Sequence, residues 1–294
     1  MSRVFTWLFL WALRILAFMP RPMSWGFCNL IGAMAYRVAH ERRRIALANL
    51  SVCFAAWPEE KRIGVAKDHF KCYVRAFLDR FVLWFGSPQT LRSWVHLEGF
   101  ENFEAHRGKP VILLAPHFLG LEAGGMRIQL ETRVSNIYSR QSNAELDRWI
   151  LRGRKRFNEP ILLMRSEGVA RAVRWLKRGV PFHYSPDMDL GGRESIFVPF
   201  FGVPTATITA LVRMARATDA VVVPLVTRMT AQGYVATFYP GWTHPNDDAL
   251  ETVEQGVIRM NQFIEQRVLE MPAQYLWTHR RFKTRPPGAP SIYG

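Results

Sequence analysis

The feature that most constrains the fold of this 294-residue chain is a change of hydrophobic period near residue 110. From there short apolar runs recur at Val111–Ala115, Val134–Tyr138, Ile161–Met164, Val180–Tyr184, Ser195–Phe200, Ala220–Val226 and Tyr234–Tyr239. Runs of this length bounded by polar or turn-forming residues predict strands. Helical spacing separates many of them: Ala144–Phe157, Gly168–Lys177 closed by Gly179, Thr205–Ala217, and a long stretch near Ala249–Glu270. Strands alternating with helices predict an α/β fold, a mainly parallel sheet flanked by helices.

Upstream the period is helical. Between residues 59 and 86, Phe70, Tyr73, Val74, Phe77, Leu78, Phe81, Val82 and Phe85 recur at steps of three and four, with Lys67, Asp68, Lys71, Arg75 and Asp79 between them. That stripe predicts a helix packed on a core and stopped at Gly86. Its aromatic rings are also candidates for the wall of an apolar ligand pocket.

The first residues have another character. Val4–Met19 is apolar except for Thr6 and Arg14, a run of 16 residues; roughly 20 are needed to cross the hydrocarbon core of a bilayer. A break at Pro20-Arg21-Pro22, a weaker run over Trp25–Val38 and the cluster Glu41-Arg42-Arg43-Arg44 follow. The pattern is open to a spanning or partly inserted anchor, a segment lying in the interface, or a cleaved signal peptide. The first two keep the body of the protein on the cytoplasmic side. The organisation predicted is an N-terminal membrane anchor with a basic flank over residues 1–45 and one domain over 46–294. Its 46–100 portion is a helical section packed on the α/β core.

Cys28, Cys53 and Cys72 form no CxxC pair and no common zinc spacing, so they read as reduced structural thiols. Net charge is +15, from 39 Lys and Arg against 24 Asp and Glu, which attracts polyanions of any kind. No nucleic-acid-binding motif accompanies that charge.

The segment with chemical content is Val111-Ile-Leu-Leu-Ala-Pro-His117-Phe-Leu-Gly-Leu-Glu122. An apolar strand runs into Pro116, and His117 stands at its carboxyl end, where open α/β sheets place their sites. On one continuous helix a five-residue step turns by about 140°. His117 and Glu122 therefore meet only if the histidine lies in the strand-to-helix turn and the glutamate in the helix that follows. A neutral imidazole held by a carboxylate can take the proton of a hydroxyl. Spacing alone does not separate that pair from a structural histidine near an unrelated glutamate.

The surroundings do more. His117-Phe-Leu-Gly-Leu-Glu122 resembles the His-x4-Asp/Glu box of the late acyltransferases of lipid A biosynthesis, the lauroyl and myristoyl transferases. The resemblance continues through Tyr138-Ser-Arg140-Gln-Ser-Asn143, Pro186-Asp187-Met-Asp189-Leu-Gly191-Gly192-Arg193 and Ile196-Phe-Val-Pro199-Phe-Phe-Gly202-Val-Pro204. It ends in Gln274-Tyr-Leu-Trp277-Thr-His279-Arg280-Arg281-Phe-Lys283. It covers nearly the whole chain and implies a glycerolipid-acyltransferase-like fold, with residues 46–294 as the acyltransferase domain.

By that resemblance His117 is the general base and Glu122 the carboxylate that orients it. The donor is an acyl carrier protein thioester, used as co-substrate with no cofactor and no metal. The acceptor is a hydroxyl on a Kdo-lipid IVA-type lipid A precursor, in lipopolysaccharide biosynthesis at the bacterial inner membrane. Arg140, Asp187, Asp189 and Arg193 are assigned to oxyanion or substrate-phosphate binding at the rim. Phe200, Phe201 and Pro204 are candidates to border the acyl chain, and Arg280, Arg281 and Lys283 to contact a headgroup or the carrier protein. Many relatives carry Asn and Trp between the histidine and the acid, where this chain has Phe118-Leu119-Gly120-Leu121. That departure keeps other acceptors open: a lysophospholipid, a glycolipid or an aryl polyene lipid. A reading of another class, a non-enzymatic basic protein bound at a membrane surface, predicts no loss of function when His117 is removed.

Overall fold

The computed structural model describes residues 3–164, 168–192, 194–242 and 252–294. Helices α1 (Arg3–Ala17), α2 (Arg21–Val38), α3 (His40–Cys53), α4 (Glu59–Phe85) and α5 (Pro88–Trp94) precede strand β1 (Val95–Glu98). Short α6 (Glu101–Glu104) leads into the alternating region: β2 (Val111–Leu114), α7 (Leu121–Ile128), β3 (Ser135–Tyr138), α8 (Ala144–Arg154), β4 (Ile161–Met164), α9 (Gly168–Leu176) and β5 (Phe182–Tyr184). Then come β6 (Ser195–Phe200), β7 (Val203–Ile208), α10 (Ala210–Thr218), β8 (Val221–Thr230), β9 (Gly233–Phe238) and α11 (Val253–Glu270).

Seven strands form one sheet in the order β1-β9-β8-β2-β5-β3-β4. The run from β8 to β4 is parallel, and β9 returns antiparallel to β8 through a hairpin. The α/β expectation with a mainly parallel sheet is met. Strand β2 shows why its sequence is uniformly apolar: Val111 and Leu113 pack into one layer, Ile112 and Leu114 into the other, and all four are fully buried.

Two local expectations fail. Residues 203–208 are a strand rather than the start of a helix; β-branched Val203, Thr205, Thr207 and Ile208 suit a pleated ribbon. With β6 they make a separate hairpin turned through Phe201 and Gly202, both at positive φ, the backbone of a two-residue hairpin turn. Strand β1, absent from the predicted strands, pairs with β9 at one edge of the sheet. The expected start of the long C-terminal helix at residues 249–251 lies outside the described residues.

Helix α4 runs as its stripe predicts, with Glu59 and Glu60 in the first turn, where a helix favours negative charge. It stops at Gly86, where the backbone turns extended and a Cβ would stand 2.6 Å from the Val82 carbonyl oxygen. Helices α1 and α2 both pack along it.

Of the N-terminal readings, the structure bears on the spanning one. α1 is 15 residues long, and among the described residues no helix is long and apolar enough to cross a membrane. Arg14 does not point away from the protein, since its guanidinium lies 4.6 Å from the Phe85 ring centre and 4.7 Å from that of Trp11. Trp7, Leu8, Phe9, Ile15 and Phe18 of the first run are exposed, as are Phe27, Leu30 and Met34 of α2. The boundary expected at residue 45 falls inside α3.

Candidate active site

His117 follows β2 past Pro116, at the carboxyl edge of the sheet, and Glu122 is the second residue of α7. The strand–turn–helix placement expected of them is therefore present. Helix α7 lies close against β8: a Cβ on Gly120 would meet the Thr227 carbonyl oxygen at 2.4 Å, and one on Gly124 the Thr227 hydroxyl at 2.1 Å. Glycine at both positions sets how near Glu122 comes to the sheet. The histidine loop is stitched to the C-terminal segment by Leu119 N–H to the Gln274 carbonyl (2.8 Å) and Leu276 N–H to the His117 carbonyl (3.0 Å).

The carboxylate on the imidazole is Asp187. Its Oδ1 lies 2.7 Å from His117 Nδ1, and its Oδ2 accepts the His117 backbone N–H at 2.9 Å. Burial pushes the Asp187 carboxyl up, but His117 and nearby Arg281 outweigh it and hold the group below the usual carboxylate range. The buried Tyr275 hydroxyl interacts with the same carboxylate. The carboxylate holds both the backbone and the ring of His117, and its contact at Nδ1 favours the tautomer with the proton on that nitrogen.

Glu122 makes different bonds. Its Oε1 accepts Trp84 Nε1–H (2.8 Å) and Arg154 Nε–H (2.9 Å), while Arg154 Nη2 donates to Oε2. Both Glu122 oxygens are thus turned to Arg154 and Trp84, while the carboxylate on the His117 ring is that of Asp187. Burial alone would raise its pKa; the bidentate Arg154 contact overrides that and brings it down to about 2. His183 of β5 lies nearby, its pKa lowered by burial to about 4, so it is neutral at physiological pH.

His117, Glu122, Arg154 and His183 all line one cavity of about 710 Å³. Its apolar wall includes Leu163, Ala172, Phe182, Ile208 and Met214. The aromatic stripe of α4 was a candidate wall, but among the described residues none of its rings lines this space. Phe200, Phe201 and Pro204 do not line it either; Phe200 is fully buried, and Phe201 packs on Phe54.

The other expected site residues separate. Asp189 is an anchor: its carboxylate accepts the Gly191 N–H (3.0 Å), the Thr284 N–H (2.6 Å) and the Thr284 hydroxyl (2.9 Å). It ties the loop carrying Asp187 to the C-terminal segment. Arg281, expected to contact a headgroup, is 2% exposed and donates to the Ala206 carbonyl and the Thr207 hydroxyl. Arg280 pairs with Glu41 at 3.1 Å, and Lys283 is exposed. Arg140 has its side chain 78% exposed beside the rim residues Ser139 and Gln141. Arg193 lies outside the described residues. Among those residues no group of His, Cys, Asp and Glu is arranged to hold a metal ion.

Arg154, Trp84 and His183 belong to the site and carried no motif of their own, while Tyr275 lay in the last block of the resemblance without an assigned role. A buried acid in the first turn of α7 did imply a cationic partner, without saying which of many arginines it was.

The bacterial lipid A biosynthesis acyltransferase family matches residues 1–284. The lipid A biosynthesis lauroyltransferase of Escherichia coli (strain K12) is 31% identical over 294 residues, covering 98% of this chain and 94% of its own. The lipid A biosynthesis palmitoleoyltransferase of the same organism is 32% identical over 296 residues, with the same coverage of 98% and 94%. A solved structure, the 1-acyl-sn-glycerophosphate acyltransferase of Thermotoga maritima, aligns with 87% of this chain and 99% of its own, at 14% identity and a TM-score of 0.39.

Proposed function

The chain belongs to the bacterial lipid A biosynthesis acyltransferase family, and from that premise we propose that it moves a fatty acyl group from an acyl carrier protein thioester to a hydroxyl of a Kdo-lipid IVA-type precursor. His117 is the general base and Asp187 the carboxylate that positions it. The observation that carries this reading is the double contact between Asp187 and His117, whose side chain lines a cavity large enough for an acyl chain. His117 Nε2 takes the hydroxyl proton as the oxygen attacks the thioester carbonyl carbon, and Asp187 stabilises the imidazolium formed. Collapse of the tetrahedral intermediate breaks the C–S bond, and the imidazolium returns its proton to the departing thiolate. No acyl-enzyme is needed.

The Glu122–Arg154 pair acts in this scheme as a rigid support under the base, with the Arg154 cation beside the developing oxyanion. In this reading exposed Arg140 meets a substrate phosphate, and Lys283 and Arg280 meet a headgroup or the carrier protein; the exposure of Arg140 and Lys283 supports it. The exposed apolar residues of α1 and α2, with Arg42–Arg44 close behind, fit a protein seated on the cytoplasmic face of the bacterial inner membrane. The +15 charge suits an acidic carrier protein, a phosphorylated lipid and an anionic leaflet alike.

The test is transfer from a set of acyl carrier protein thioesters to a tetra-acylated lipid A precursor, read by product mass. The expected result is a product heavier by one acyl group. Transfer only to a lysophospholipid or another lipid supplied in parallel overturns the acceptor and keeps the chemistry.

A further inference from the structure

We infer that the cavity is built for an acyl chain that itself carries a hydroxyl group, recognised by Gln129, Asn136 and His183. The inference rests on the acyl-transfer reading and names the donor's chain class. It starts from a fork in the sheet. Strands β3 and β5 pair only at Ser135↔Phe182 and Asn136↔His183. Past that rung β3 continues with β4, as Ile137↔Leu163 and Tyr138↔Met164, while β5 continues with β2, as Leu114↔Tyr184. Ile137 and Tyr184 both line the cavity, which therefore enters the opening between the diverging strands.

The two walls of this space differ chemically. Phe182, Leu163, Ala172 and Met214 offer hydrocarbon on one face. On the face covered by α7, His183 and Asn136 stand side by side in the last paired rung. The His183 ring lies 3.5 Å from where a Cβ on Gly125 would be, and Gln129 caps the same helix. All three residues line the cavity. Among the described residues His183 Nε2, Asn136 Oδ1 and Gln129 Oε1 are each buried without a hydrogen-bond partner, and Gln129 is only 2% exposed.

An unmade hydrogen bond at a buried polar atom costs about 1–3 kcal/mol, and native interiors leave few of them. A wall meant only for a saturated chain has no use for three polar residues with orphan atoms. A saturated chain laid along it leaves those atoms unpaired and bars water from them. A hydroxyl is both donor and acceptor and so answers an amide oxygen and a neutral imidazole together. Sites with buried polar groups discriminate strongly against analogues that lack the matching hydroxyl.

The experiment offers the full-length protein the tetra-acylated lipid A precursor as acceptor and equal amounts of dodecanoyl, 2-hydroxydodecanoyl and 3-hydroxydodecanoyl carrier-protein thioesters, with products counted by mass. The wild type is expected to transfer one of the hydroxylated chains at least about tenfold in preference to the saturated chain, a difference of about 1.4 kcal/mol. Asn136→Leu and Gln129→Leu are each expected to bring that ratio to about one or below. Calorimetry of the wild type with free 3-hydroxydodecanoic, 2-hydroxydodecanoic and dodecanoic acids gives a readout independent of turnover and of variant folding, with the same preference expected. A wild-type preference for the saturated chain in both measurements, or a ratio that survives both substitutions, overturns the inference while leaving acyl transfer standing. Absence of transfer from any thioester overturns the acyl-transfer reading instead, and the calorimetric preference then still decides whether the cavity recognises a hydroxyl.

Discussion

At the scale of single residues, the site divides its two carboxylates by partner. Asp187 faces a titratable imidazole and Glu122 a permanent cation, so their loss has different consequences. Glu122→Gln leaves the Arg154 guanidinium buried beside a neutral amide. Breaking one side of a buried pair costs about 3–5 kcal/mol, so a fall in Tm on the order of 10 °C is expected by calorimetry; an unchanged Tm contradicts the support role. The same pair sets an acid limit. Glu122 is held at about 2 against an ordinary 4.5, so its contribution is fully present above pH 4.5 and is lost as pH falls toward 2. That window is worth ~3 kcal/mol, and Glu122→Gln should flatten the stability–pH curve across it. The sequence made His117 and Glu122 visible as a local pair, yet the histidine's partner is 70 residues away and the glutamate's 32. Contacts of that range are set by which strands lie adjacent, and spacing along the chain carries no record of it.

At the scale of elements, the site depends on how closely α7 approaches β8. Gly124→Ala places a methyl 2.1 Å from the Thr227 hydroxyl, while the Thr227 Cβ stands farther off, at 3.4 Å. The substitution is expected to destabilise by about 1–3 kcal/mol and to slow transfer by displacing Glu122 and His117. Adding Thr227→Ala should recover most of both losses, as measured by denaturant unfolding and a rate assay; a double variant as weak as Gly124→Ala contradicts this packing account. The elements most legible in the sequence were the uniformly apolar strands, β2 buried on both faces and β4 at the sheet edge, and the long amphipathic α4. β7 was hidden because Thr205–Ile208 runs directly into the helical Ala210–Thr218, so one polar–apolar pattern served two periods. β1 was hidden because its four residues, Val95–Glu98, alternate too briefly to register.

At the scale of the whole molecule, a strongly basic protein leaves large apolar side chains uncovered on its first two helices. Combined Trp7→Ser, Leu8→Ser and Ile15→Ser substitutions touch exposed positions. They are expected to weaken co-sedimentation with anionic lipid vesicles about tenfold or more without lowering Tm, and high salt should weaken it further. Unaltered sedimentation contradicts membrane seating by this face. On the proposed reading the same field would attract an acidic carrier protein and a phosphorylated lipid, with the acyl chain entering the cavity at the sheet's carboxyl edge. What turns binding there into chemistry is the claim that His117 and Asp187 act as one unit. The most direct test measures acyl transfer by the wild type, His117→Ala, Asp187→Asn and the double variant. The account predicts a loss of roughly a hundredfold or more in each single variant and little further loss in the double. Wild-type rates in His117→Ala, or losses that multiply in the double variant, contradict it.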